Sequence, residues 1–138
     1  MDTFGSGGLQ PGQFNWPAKI AFDDNGYLHV VNKGKDRIQI FDENLEFVSE
    51  KRGFTEPEDI AFDSDGNIYV LENSGRYIGL IKKFDSQWNS QFILTTRDFT
   101  DRYIPFEEYD VGFENIVALD VGPDDYLYVL DRDQGVHV

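Results

Sequence analysis

The chain carries two histidines, His29 and His137, and no cysteine. A zinc or iron centre needs several such donors to converge, and general-base chemistry needs an imidazole held against a nucleophile or substrate. Neither histidine has a second histidine or a metal-spaced carboxylate beside it. His29 shares its place in a recurring segment with Tyr69 and Tyr128, so it reads as an aromatic-sized packing residue, and His137 falls near the place of Gln39. None of Ser6, Ser49, Ser64, Ser74, Ser86 and Ser90 sits in the Gly-x-Ser-x-Gly turn that exposes a serine nucleophile. The run Gly5-Ser6-Gly7-Gly8 leads into no helix and no Lys-Ser/Thr pair, so it is not a phosphate cradle. Oxygen ligands suit calcium, and Asp23-Asp24-Asn25-Gly26 and Asp63-Ser64-Asp65-Gly66 begin like calcium loops. Both lack the remaining frame ending in Glu, so hairpin turns explain them better. No catalytic residue, metal site or cofactor is expected from these residues; calcium is the one ion a carboxylate-only site would suit.

The residues that do recur belong to a repeat. Phe14, Phe54 and Phe113 lead three units, Ile20, Ile60 and Leu119 follow, and Leu28, Ile68 and Leu127 come after a turn. Phe14 and Phe54 lie 40 positions apart, within the period of a four-stranded propeller blade, whereas Phe54 and Phe113 lie 59 apart, which demands an insertion. Each unit predicts strands. Pro17–Phe22 and Tyr27–Val31 flank Asn25-Gly26, and Pro57–Phe62 and Ile68–Leu71 flank Asp65-Gly66, dipeptides that favour tight hairpins because glycine accepts positive φ. Pro123-Asp124-Asp125 predicts a different turn in the third unit. Arg37–Phe41 then Glu46–Ser49, and Leu80–Phe84 then residues around Gln91–Leu94, complete the first two units. Ile20-Ala21-Phe22, Tyr69-Val70-Leu71 and Leu127-Tyr128-Val129-Leu130 are apolar on both faces, so both faces of each sheet must be covered.

The phrases Phe4-Gly5-Ser6-Gly7-Gly8-Leu9-Gln10-Pro11-Gly12-Gln13-Phe14-Asn15-Trp16-Pro17, Ile20-Ala21-Phe22-Asp23 and Arg37-Ile38-Gln39-Ile40-Phe41-Asp42 resemble those of the NHL-repeat β-propeller family. The likeness is strong in the first unit, good in the second and partial in the third. After the second strand the three units carry Asn32, Glu72 and Asp131 where that family usually has Asp, and its third-strand Arg is clear only at Arg37. The resemblance implies an all-β fold of four-stranded antiparallel blades, about three of them, half of a six-bladed ring. The implied organisation is one domain over 1–138. Residues 1–16 end a preceding blade and link to blade one at 17–56; blade two at 57–113 carries an insertion at about 86–112; an incomplete blade three occupies 114–138. Family geometry further implies a shared loop face, with Trp16, Asn32, Glu56, Asp59, Glu72, Asn115 and Asp131 as candidate binding residues. Relatives that are lyases or metal-dependent lactonases imply an alternative, half of a propeller enzyme whose channel site needs a second half.

Twenty-six acidic against 12 basic residues give a formal charge of −14. That balance disfavours a nucleic-acid partner, which would need a positive surface. No apolar stretch approaches the length of a membrane span. The insertion is acidic and aromatic, and Phe99, Tyr103, Phe106 and Tyr109 are expected to form a specificity or assembly loop. Three blades would leave raw flanks, so completion by self-association or by the remainder of a longer chain is expected, along with a protein or small ligand on the loop face. The expected role is an interaction or structural module. With no cysteine to report a redox environment, the compartment stays open.

Overall fold

The computed structural model describes residues 3–73, 79–95, 109–110 and 115–138. Sheet one runs β3 (Pro17–Phe22), β4 (Leu28–Asn32), β5 (Arg37–Phe41) and β6 (Phe47–Lys51), all antiparallel, in sequence order. Sheet two runs β7 (Pro57–Phe62), β8 (Ile68–Glu72), β9 (Leu80–Phe84) and β10 (Ser90–Thr95), with a short β11 (Tyr109–Asp110) added parallel to β10. Sheet three is β12 (Ile116–Val121), β13 (Leu127–Asp131) and β14 (Gly135–His137). Ahead of them, β1 (Ser6–Gly7) pairs with β2 (Gln13–Phe14). The chain is therefore all-β; the only helical turn among the described residues is a three-residue 3₁₀ segment at Lys33–Lys35. For this segment numbering, strands one to three of each sheet are β3/β7/β12, β4/β8/β13 and β5/β9/β14.

The repeat is built in hydrogen bonds as well as in side chains. Every first strand carries a register shift after its first residue, between Pro17 and Lys19, Pro57 and Asp59, and Ile116 and Ala118. Such a bulge turns the strand, and in the two strands that begin with Pro17 and Pro57 it also spares a ladder bond that proline could not make. The turns that follow share one plan. Asp23 N–H donates to Tyr27 O and Gly26 N–H to Asp23 O; Asp63 and Gly66, and then Gly122 and Asp125, repeat both bonds. The third turn thus keeps the common type, contrary to the departure predicted from Pro123-Asp124-Asp125. Asp125 takes the left-handed conformation, φ 61°, that Gly26 and Gly66 supply elsewhere, which aspartate tolerates better than most side chains.

Apolar side chains fill two seams. Between sheets one and two, Val31 and Ile38 meet Ile60, Ile68 and Val70, with Phe54 sealing the group. Between sheets two and three, Ala61, Tyr69, Leu71 and Ile81 meet Ile116, Leu119 and Val129. Leading Phe14 instead joins Phe4 on Leu28, Val30 and Phe41 of sheet one, with Phe4 edge-on to Phe41 at 5.2 Å between centroids. Thr3–Gly5 are not in a strand; Phe4 serves here as a packing residue.

The outer flanks are covered only in part: Leu28 and Val30 of the near flank lie under Phe4 and Phe14, but other positions stay open where the inner flanks are sealed. Ile20 is 61% exposed, while its counterparts Ile60 and Leu119 are 1% and 3% exposed. At the far end, Leu130 and Val136 are 42% and 63% exposed, while the corresponding pairs Val31 with Ile38 and Leu71 with Ile81 are wholly buried.

Candidate functional site

The first-strand entries and second-strand exits meet on one face. Lys33 N–H donates to Trp16 O, Asn73 N–H to Glu56 O and Arg132 N–H to Asn115 O, at 3.1, 3.3 and 2.9 Å. One polar side chain per unit pins this junction. Asn32 Oδ1 accepts Asn15 N–H (2.8 Å), Glu72 Oε2 accepts Thr55 N–H (2.9 Å) and Asp131 Oδ2 accepts Asn115 N–H (3.0 Å). All three side chains are buried, so their oxygens hold the backbone of the entry loop. Glu72 also meets Lys82 Nζ at 2.6 Å, and Asn32 and Glu72 both reach one residue further back along the entry loop than Asp131 does.

Asp59 ties all three sheets together. Buried on the first strand of sheet two, it accepts the N–H of Leu119 in sheet three at 3.1 Å and that of Ile60 at 2.8 Å. Lys19 of sheet one completes the set, its Nζ 3.0 Å from Asp59 Oδ1. Beside it on the same seam, Lys33 pairs with Glu58 and lies 3.7 Å from Glu56; the hydrogen bond to Glu58 holds the Lys33 ammonium above its ordinary range. Asp36 Oδ1 accepts Glu56 N–H at 2.8 Å.

Of the seven residues predicted for a binding face, four (Asn32, Asp59, Glu72 and Asp131) are therefore turned inward as pins. Asn115 is half-buried, its side-chain amide 3.2 Å from Asp133. Trp16 and Glu56 stand out from the face. Trp16 is 76% exposed, and both sit at positive φ, 50° and 47°, directly before Pro17 and Pro57. A residue before proline prefers extended backbone, and a bulky side chain in the left-handed region is strained. Phe99, Tyr103 and Phe106 of the predicted loop lie outside the described residues, while Tyr109 belongs to β11.

Three interactions escaped the sequence. His29 Nε2 lies 3.0 Å from Asp23 Oδ2, Tyr69 OH donates to Asp63 Oδ2 at 3.1 Å, and Tyr128 OH donates to Asp124 Oδ2 at 2.9 Å. The recurrence of His29, Tyr69 and Tyr128 was the available signal; the missing step was asking where each polar tip goes. A carboxylate only accepts, so Nε2 carries the proton of neutral His29. Burial lowers the His29 pKa below its ordinary 6.5, outweighing the pull of Asp23. Arg37, fully buried, finds its carboxylate on the fourth strand, Glu50 at 2.7 Å, rather than after the second; its other nitrogen donates to Gln10 O and Gln13 O, both at 3.0 Å. It therefore locks the N-terminal segment onto sheet one. Among the described residues no three His, Cys, Asp or Glu side chains gather as a metal-holding group.

A family model described as strictosidine synthase-like, N-terminal, matches residues 43–76; that family is built of six-bladed β-propellers. No curated protein matches by sequence. Solved structures match by fold. Hydrazine synthase of Kuenenia stuttgartiensis superposes with a TM-score of 0.60 at 18% identity over 83% of this chain and 29% of that one. Virginiamycin B lyase from Staphylococcus aureus gives 0.57 at 13% identity, over 88% and 40%. A luciferin-regenerating enzyme gives 0.56 at 16% identity, over 86% and 38%. The chain spans well under half the length of each. Its antiparallel sheets, its repeat and these superpositions together make it a partial ring of β-propeller blades.

Proposed function

We propose that the chain is a non-enzymatic interaction and structural module, a partial propeller completed by further blades that offers its loop face to a protein or small ligand. The observation that carries this is the contrast in burial between equivalent positions: Ile20 and Val136 lie bare where Ile60 and Ile81 are sealed. Exposed apolar surface of this kind marks contact sites. On the loop face, the junction pins are committed to the backbone, leaving Trp16 and Glu56 as the outward groups around which a ligand would assemble. An exposed indole is a natural anchor for recognition. The acidic balance of the chain favours a cationic partner over nucleic acid.

Native mass spectrometry combined with metal analysis of the same particle tests the proposal. An assembled, metal-free particle is the expected result. A compact monomer with slow amide exchange on β3 and β13 would refute completion by further blades, and a stoichiometric metal would move the assignment to a metal-dependent propeller enzyme.

A further inference from the structure

One position of the repeat changes its chemistry between units. Where the second and third units carry Tyr69 and Tyr128, the first carries His29, a side chain of the one type that ordinarily titrates near neutral pH. We infer that the joint between blades one and two is acid-operated: protonation of His29 parts the two sheets at their turn ends while their loop ends stay clasped. This device belongs to the fold and does not depend on what the loop face binds. His29 sits inside the joint. Its side chain is 3% exposed, and sheet two covers it with two rings, Phe62 in an edge contact at 4.8 Å between centroids and Trp88 stacked at 6.1 Å. Nε2 is engaged by Asp23 at 3.0 Å, whereas Nδ1 is buried without a hydrogen-bond partner. A neutral imidazole forfeits one accepted bond there. An imidazolium turns Nδ1 into a charged donor with no acceptor, a far costlier group to keep buried.

The charged groups that act on the imidazole come from sheet one. Asp23, in the first turn, favours the proton; Lys51, on β6, opposes it and also lies 5.6 Å over the Trp88 ring. On sheet two, Asp63 follows Phe62 and Asp85 precedes Trp88 in the same turns, but the Asp63 carboxylate is committed to Tyr69 and Asn67 and that of Asp85 to Asn89. Closing sheet two over a charged His29 therefore brings rings and no counter-charge, and parting the sheets lets water reach Nδ1. The loop end of the same joint is made differently. Lys19 meets Asp59, Lys33 meets Glu58, and Asp36 accepts Glu56 N–H. The acids there are carboxylates, a class that titrates well below imidazole, so that end serves as the hinge. The second joint holds no such group. Tyr69 donates its hydroxyl to Asp63, Lys83 lies 5.1 Å over its ring, and burial raises its pKa, so it stays neutral as acid is added.

Two matched reporters test this in the whole chain. Ala21 packs on the first joint opposite His29, and Ala61 is buried in the second opposite Tyr69. The chain lacks cysteine, so Ala21→Cys and Ala61→Cys each install a single thiol. Labelling by dithiodipyridine, normalised to a free cysteine peptide at each pH, should quicken about tenfold for Ala21→Cys as pH falls from about 7.5 to about 4.5, and stay level for Ala61→Cys. Acrylamide quenching of Trp88, read in a Trp16→Phe background, should rise over the same range while the β-sheet circular dichroism holds. His29→Tyr should abolish both responses; His29→Gln, polar and never charged, should do the same and keeps the test open if the tyrosine does not fit. An unchanged Ala21→Cys rate, equal quickening at the two thiols, loss of the sheet signal at the same midpoint, or a response that survives in the His29 variants would overturn the inference.

Discussion

Asp59→Ala should be the most damaging single truncation among the described carboxylates on the first strands. The substitution leaves the N–H groups of Ile60 and Leu119 without the acceptor they have at 2.8 and 3.1 Å, in a buried setting. A buried donor left unpaired costs about 1–3 kcal/mol, so two give roughly 2–4 kcal/mol after partial relaxation. The ion pair with Lys19 adds little, because the lysine side chain is 41% exposed and such a pair contributes about 0–1 kcal/mol. Asp59→Asn keeps one oxygen acceptor and should lose about half as much, and Lys19→Ala under about 1 kcal/mol. Urea unfolding followed by far-ultraviolet circular dichroism gives the midpoints, and amide exchange gives the local effect, which should concentrate at Leu119 because its bond crosses between sheets. The reasoning fails if Lys19→Ala costs as much as Asp59→Ala, or if Leu119 exchange is unchanged in the alanine variant.

Four further outcomes follow from the same structure. His29 has a pKa lowered by burial, so its contribution to stability is present above about pH 6.5, its unfolded value, and is lost as pH falls through the folded one; denaturant midpoints should drop as pH falls below about 6.5, and His29→Tyr, copying Tyr69 and Tyr128, should flatten that drop. Trp16→Gly should leave stability unchanged or raise it by up to about 1 kcal/mol, because it removes left-handed strain, and thermal unfolding would expose the opposite result. Gly34→Ala places a Cβ 2.7 Å from the carbonyl oxygen of Asn15, so the entry loop must shift, with a loss of about 1–3 kcal/mol in unfolding experiments. Ser64→Ala deletes the 2.5 Å bond to Asp125 that links the turns of sheets two and three, and should speed amide exchange in the third turn without moving the first.

The blade pattern was legible because its signals are local. Phe-Asp ends to strands, glycine at positive φ and apolar residues on both faces each follow from one stretch of chain, and Ile20, Ile60 and Leu119 fixed the register. The third turn is not legible in the sequence because glycine is the usual sign of a left-handed residue, whereas here Asp125 fills that place and reaches Ser64 with its carboxylate. The candidate face was legible as a location and not as a set of roles. Asn32, Glu72 and Asp131 look like ligand-binding groups in sequence because polarity is visible there, while the backbone N–H donors they accept belong to residues well upstream. Glu50 as the partner of Arg37 is hidden for the same reason: a cross-strand ion pair depends on strand registry, which sequence separation does not report. Asp59 is the sharpest case, since its bond to Leu119 spans two sheets that only the closed seam brings together.

The small β11 strand carries a consequence for tolerated chain length. It runs in the same direction as β10, and two parallel neighbours cannot be joined by a tight reversal. Shortening the stretch between Thr95 and Tyr109 to a hairpin-sized link would therefore remove β11 from its place and leave Leu94 and Thr95 at the end of β10 as open backbone for stray strands. Deletions in this stretch should surface first as poor solubility at permissive temperature, well before the seams between the sheets are disturbed.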